Sequence, residues 1–205
     1  MTTTNLEVRV NAVNVSQFDH TPFYCEENVY FLCKKLCQIG TADAEGSDLF
    51  VAFISNEKKQ IPLWHQKASK RADGIVLWDY HVICIQRKGD GDSPCLVWDL
   101  DSSLPFPSPL AVYVSETIRP SFQLFSDYQR RHMKDSTGNW IAQPPAYEPI
   151  VAEDGTVHNL NEYMEIYASN ELTDMGADSV NLVFNQKHGV VISESRVEEL
   201  FSLIS

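Results

Sequence analysis

The chain has 205 residues, 43% of them hydrophobic, and a formal net charge of −12 at pH 7. That length can bury one sizeable core, so a single domain over 1–205 is expected, with 1–22 as a loose N-terminal arm. The acidic excess excludes a nucleic-acid groove, which needs clustered Lys and Arg, and no apolar stretch approaches the ~20 residues of a membrane span.

Residues 1–22 are polar with some Val alternation and read as an edge strand or an arm. Val29, Leu32, Cys33 and Leu36 recur at helical spacing, which predicts an amphipathic helix over 25–38. Leu49 to Ile54 reads as a strand ending at Ser55-Asn56-Glu57, and Lys58 to Gln60 as a turn leading into Ile61-Pro62-Leu63-Trp64. Two strands, about 75–86 and 95–101, flank the turn signal Lys88-Gly89-Asp90-Gly91-Asp92 and predict an antiparallel hairpin. Leu104-Pro105-Phe106-Pro107 breaks regular structure, and 110–130 reads as helical. Pro144-Pro145 through Gly155 is expected to be a surface loop, 159–168 a short helix, and Val180–Phe184 with Val190–Ile192 a second hairpin. Ser195 and Glu198 carry a capping-box spacing for a last helix through Ile204. The pattern is α+β, with helices packed on an antiparallel sheet.

Chemistry concentrates at Cys25, His81 and Asp99. A thiol, an imidazole and a carboxylate dispersed in sequence are what thiol-based acyl transfer needs, if the fold gathers them. With the hairpin turn centred on Asp90, His81 directly faces Asp99 across the strands. A one-residue slip puts them on opposite faces, and Asp79 and Asp101 are rival orienting carboxylates on the same face. Cys25 falls at the start of the predicted helix, where free N–H groups and the macrodipole favour a thiolate and can hold an oxyanion. Glu26 and Glu27 suit a first turn but partly oppose that thiolate. Taken alone, a cysteine is more often a small buried hydrophobe; the His–Asp pairing is what points to chemistry.

Ordered motifs support the same residues: Tyr24 to Val29, Phe53 to Lys59, Ile61 to Trp64, Trp78-Asp79-Tyr80-His81-Val82, Trp98 to Asp101 with Leu104 to Pro107, and His132 to Trp140. Over residues 23–150 the chain resembles the protein N-terminal glutamine amidohydrolases, named for the Trp-Asp-Tyr-His-Val motif. The resemblance implies a papain- or transglutaminase-like cysteine hydrolase core, with the family's Cys, His and Asp falling on Cys25, His81 and Asp99. It implies deamidation of N-terminal glutamine to glutamate through a thioester, with ammonia released and no metal or organic cofactor. The product is then expected to feed arginylation-dependent degradation. Beyond about 160 the chain departs from the family pattern, since Gly176-Ala177 is followed by a longer segment before Val190. Rival readings are another thiol peptidase or transamidase on the same core, and a silent peptide-binding module.

Selectivity for a free amino end needs a carboxylate or carbonyls facing the α-ammonium. Glu26, Glu27, Asp79 and Asp101 are candidates, with Glu27 preferred for its place beside the nucleophile, and Trp64, Trp78 and Tyr80 are candidates to wall the glutamine side chain. Five cysteines, an odd number, form no disulfide framework, and Met1 to Asn5 lacks a leader pattern. A reducing compartment is therefore expected, the cytoplasm and also the nucleus, with a monomer acting on proteins or peptides that begin with Gln. Cys33 and Cys37 lack a second ligand pair for zinc, and Cys84 and Cys95 are expected to be neighbouring buried thiols. His132 is expected to order its loop; His20, His65, His158 and His188 have no sequence neighbours that suggest a role.

Overall fold

Apolar residues at helical spacing bury one face of α1, Cys25–Gln38, where Val29, Leu32 and Leu36 enter the core. The helix ends at Gly40, whose φ of 69° lets the chain turn back so that Thr41 and Ala42 donate to the Leu36 carbonyl. The computed structural model describes residues 13–89, 93–119, 136–140, 142–157, 159–164 and 170–204.

Helix α1 lies on an antiparallel sheet ordered β1 (Leu49–Ile54), β4 (His81–Gln86), β5 (Leu96–Trp98) and β6 (Ser108–Pro109). A separate antiparallel pair, β2 (Ile61–Leu63) and β3 (Val76–Trp78), precedes β4. Every residue of β4 is buried, which explains its near-continuous apolar run. Val82 and Cys84 pack with Trp98 under α1, while Ile83 and Ile85 pack with Val97, Tyr113 and Phe201 on the other side. Besides His81, the polar exception is Gln86. Its amide donates to the Thr41 carbonyl at 3.0 Å and to Asp48 at 2.8 Å, and its carbonyl accepts the Trp98 indole N–H at 3.1 Å.

The hairpin register differs from expectation by two residues. Cys84 faces Trp98 and Ile85 faces Val97, so His81 and Asp99 are diagonal rather than directly opposed. Because side chains alternate with a period of two, the shift leaves both on one face. Cys84 and Cys95 do not meet: the Cys84 thiol hydrogen-bonds Cys33, whereas Cys95 interacts with Arg87.

Other elements depart from the reading of the sequence. From Val13 onward the N-terminal segment is not loose: Phe18 is buried against Trp98 and Phe106, and a 3-10 turn spans Val15–Gln17. The expected helix over 110–130 is described to 119, as α2 (Leu110–Tyr113) continuing through a π turn at Val114–Ile118. Arg119 stops it at φ 50°; the remainder lies outside the described residues, as do His132 and His158. A short helix, α3 (Leu160–Met164), stands where one was expected. The expected second hairpin is absent, since Val180–Phe184 belongs to helix α4 (Ala177–Asn185) and Val191 makes only a parallel bridge to Glu171. β-Branched content suggested a strand there, but Val180 and Val183 lie one turn apart and turn together into the core. The last helix, α5 (Val197–Leu203), follows a 3-10 turn at Glu194–Arg196 and lacks the side-chain cap that Ser195 and Glu198 suggested. Arg87 ties its end to the sheet by donating to the Ile204 carbonyl at 2.8 Å.

Gln86→Leu leaves the buried Trp98 N–H and Thr41 carbonyl without their partner, and a drop of roughly 2–4 kcal/mol in unfolding free energy is expected in urea titration.

Candidate active site

Cys25 is the first residue of α1, and its approach is held by Asn28. The Asn28 side chain accepts from Thr21 N–H at 2.9 Å and donates to the Thr21 carbonyl at 2.8 Å, closing a loop in which Phe23 takes a left-handed φ of 71°. The thiol is buried, donates to Glu26 Oε2 at 3.4 Å, and meets the backbone N–H of Val82. Its pKa is raised well above the ordinary thiol value. Burial is the main cause, and the charges of Glu26 and Asp101 add to it; the Val82 N–H opposes them. Burial and the neighbouring negative charges therefore oppose the thiolate that the helix start alone favours.

His81 opens β4 and is fully buried. Its Nε2 lies 3.1 Å from Asp99 Oδ2 but out of line for a hydrogen bond, and its Nδ1 has no hydrogen-bond partner among the described residues. Trp78 stacks on the imidazole, with ring centroids 4.9 Å apart. Burial works against charging His81, yet Asp99, Asp101 and Glu26 outweigh it and raise its pKa. Burial likewise opposes the Asp99 carboxylate, but His81, the Tyr113 hydroxyl and the Asp101 N–H lower its pKa. Tyr113 donates to Asp99 Oδ2 at 2.8 Å, and Asp101 N–H donates to Oδ1 at 2.9 Å. Asp101 is engaged elsewhere, 2.9 Å from His20 Nε2, so of the rival carboxylates it is Asp99 that meets the imidazole.

The structure thus joins His81 and Asp99 directly. Cys25 joins them through shared neighbours, because the charges of Glu26 and Asp101 act on both the thiol and the imidazole. Trp78 and Trp64 are buried and linked by Gln66, which accepts the Trp78 indole N–H at 3.1 Å and donates to the Trp64 carbonyl at 3.1 Å. Asp79 sits at the corner between β3 and β4, where its carboxylate accepts from Tyr80 N–H at 3.2 Å. The charge of Glu27 acts on Tyr24 and Tyr147. Sequence reasoning missed Tyr113, His20, Gln66 and Asn28 as supports; only Asn28, inside the first motif, carried any local signal.

His81, Asp99 and Asp101 offer ligand atoms within 4.8 Å of one another, the geometry of a possible metal group. Their oxygens already serve Tyr113, a backbone N–H and His20, which suits a hydrogen-bonded charge cluster better than a cation.

A family model described as N-terminal glutamine amidase matches residues 20–131 and 123–201. The chain belongs to the N-terminal glutamine amidase family. A protein N-terminal glutamine amidohydrolase of Arabidopsis thaliana is 58% identical over 209 residues, covering 93% of this chain and 95% of that protein. One from Oryza sativa subsp. indica is 51% identical over 211 residues, covering 93% and 90%, and one from Drosophila melanogaster is 36% identical over 168, covering 73% and 80%. The amidase match includes Cys25, His81, Asp99 and Tyr113, and it reaches 201. The segment beyond 160 therefore lies within the match to the amidases, although it departs from the hairpin expected for it.

Tyr113→Phe removes a buried hydrogen bond to a charged acceptor, so a loss of about 1.5–3 kcal/mol in stability is expected by denaturant titration.

Proposed function

We propose that this amidase hydrolyses the side-chain amide of an N-terminal glutamine to glutamate, releasing ammonia, with Cys25 as nucleophile, His81 as base and Asp99 as orienting carboxylate. Membership of the family supports the reaction. The buried His81–Asp99 contact of 3.1 Å, set against a helix-start thiol that shares its charged neighbours, supports the assignment of residues.

His81 takes the Cys25 proton through Nδ1, the ring nitrogen not turned to Asp99. The sulfur then bonds to the side-chain amide carbon, and N–H groups at the helix start hold the oxyanion. As the carbon–nitrogen bond breaks, the imidazolium returns its proton to the departing ammonia. Water, deprotonated by His81, attacks the thioester and frees the thiol and the glutamate side chain. Asp99 fixes the ring and stabilises its cationic form, and Tyr113 fixes Asp99. A helix-borne thiol with its imidazole on the sheet is in keeping with the papain- or transglutaminase-like core that the resemblance implies. Glu27, Asp79, Trp64 and Trp78 are assigned to the substrate pocket, with the two tryptophans walling the glutamine side chain. The reading extends to a monomer in the cytoplasm and nucleus, supplying N-terminal glutamate to arginylation-dependent degradation.

Cys25→Ala is expected to abolish ammonia release from Gln-first peptides while melting as the parent does. Release from internal Gln, or cleavage of the peptide bond, points instead to a transamidase or a peptidase. A second expectation concerns pH. The base must be neutral, and the His81 pKa is raised, so kcat/KM falls with acidification from above the ordinary imidazole value of about 6.5. Asp99→Asn removes the chief raising charge, moving that acid limb to lower pH while cutting kcat roughly 10^3–10^4-fold. Rate profiles between pH 5 and 9 read both effects.

A further inference from the structure

Glu26 takes no part in the steps above and its position opposes them. One carboxylate oxygen accepts the Cys25 thiol at 3.4 Å, and the other accepts the Tyr80 hydroxyl at 2.7 Å, which fixes the group beside the sulfur. A negative charge and an S–H acceptor at that place both favour the neutral thiol. The same charge, with those of Asp99 and Asp101, also favours the protonated form of His81, the group that must accept a proton. A carboxylate so placed slows attack unless a cation meets it during the reaction, and a peptide with a free amino end brings one.

We propose that Glu26 receives the α-ammonium of the N-terminal glutamine and that this contact releases Cys25 for attack, so that recognition of a free amino end and activation of the thiol are one event. The inference rests on the reading of Cys25 as nucleophile. The distances close. An extended glutamine places its α-nitrogen about 5 Å from the side-chain amide carbon. Attack brings that carbon within ~3–3.5 Å of the sulfur, and an ammonium–carboxylate contact spans about 2.8 Å. With the observed sulfur–oxygen distance of 3.4 Å these four lengths form a closed ring. A carboxylate accepts about four hydrogen bonds, so the thiol and Tyr80 leave room for the ammonium.

Access favours Glu26 as well. Cys25 and His81 are buried, whereas Glu26 is half-buried and lines a cavity of about 1070 Å³ together with Tyr30, Phe53 and Val82. Around the thiol the other ionisable groups are Asp101 beyond β5, Tyr80 at the corner before β4, and Tyr113 on α2; His81 adjoins Val82, whose N–H meets the sulfur. Asp101 is buried and paired with His20, and the tyrosines bring no charge at neutral pH. No new bond is made to Glu26. The ammonium neutralises its charge, the thiol proton passes to His81, and the reaction proceeds as above.

Glu26→Gln and Glu26→Asp are compared with the parent on Gln-first and acetyl-Gln-first peptides, with iodoacetamide alkylation of Cys25 followed across pH. Glu26→Gln is expected to lose about 10–100-fold in kcat/KM on the Gln-first peptide. On the acetylated one it should lose nothing or gain, so discrimination collapses. Its free thiol should alkylate at lower pH than the parent's, which a merely structural role for Glu26 does not predict. Glu26→Asp, which keeps the charge, should retain most of the discrimination. Discrimination preserved within about threefold in a folded Glu26→Gln, or an unmoved alkylation profile, overturns the proposal. Activity surviving in Cys25→Ala removes the nucleophile reading instead, and that result is separate from either.

Discussion

Placing carboxylates inside a protein core is costly, and this fold places Asp99 and Asp101 there beside a fully buried imidazole. Much of the surrounding structure offsets that cost. Tyr113 donates to Asp99 from α2, His20 meets Asp101 from the N-terminal segment, and the Asp101 N–H turns back onto Asp99. Elements far apart in sequence therefore converge on one pair of side chains. The N-terminal segment with Phe18 and the short helix after β6 are not decoration on the sheet; they deliver the partners of the two buried carboxylates, His20 to Asp101 and Tyr113 to Asp99.

The same electrostatics bear on the proposed reaction. Burial first, then the charges of Glu26 and Asp101, raise the thiol, and Asp99, Asp101 and Glu26 outweigh burial to raise the imidazole. In the proposed mechanism attack needs the opposite, a proton leaving sulfur for an imidazole that is free to take it. On the reading of Glu26 given above, a ligand that carries positive charge to that carboxylate relieves part of the opposition. Substrate charge and catalytic readiness are then coupled by the site itself, without a separate conformational switch.

The site was legible in the sequence to the extent that its signals were local. The helix over Cys25–Gln38 and the strand Leu49–Ile54 follow from spacing and β-branched content, and the motifs named Cys25, His81 and Asp99. Direction of titration was not legible, because the macrodipole at a helix start is a local property, whereas the charge of Asp101 and the burial of the sulfur come from the tertiary fold. Tyr113 and His20 were invisible for the same reason: nothing near either residue in sequence refers to the carboxylate it serves. In the C-terminal segment the β-branched residues of 180–184 suited strand and helix alike, and packing of Val180 and Val183 against Phe201 and its neighbours decided between them.

The two-residue error in register shows which sequence arguments survive inaccuracy. A hairpin of uncertain turn offers registers that differ by one or by two. A shift of one places His81 and Asp99 on opposite faces, whereas a shift of two only slides them to a diagonal. The buried pattern of β4 and β5 forbids the first, since it also moves Val82 and Cys84 away from α1 and Ile83 and Ile85 away from Phe201. The second costs nothing in core packing and has a consequence for the chemistry. Past Trp98 the strand gives way to a turn at 100–101, which keeps ligand atoms of Asp99 and Asp101 within 4.8 Å of the His81 ring nitrogen. Two carboxylates then address one imidazole, one at 3.1 Å and the other turned to His20. Direct opposition of His81 and Asp99 yields a simpler pair; in the observed arrangement the charge of Asp101 acts on the imidazole and on the Cys25 thiol as well.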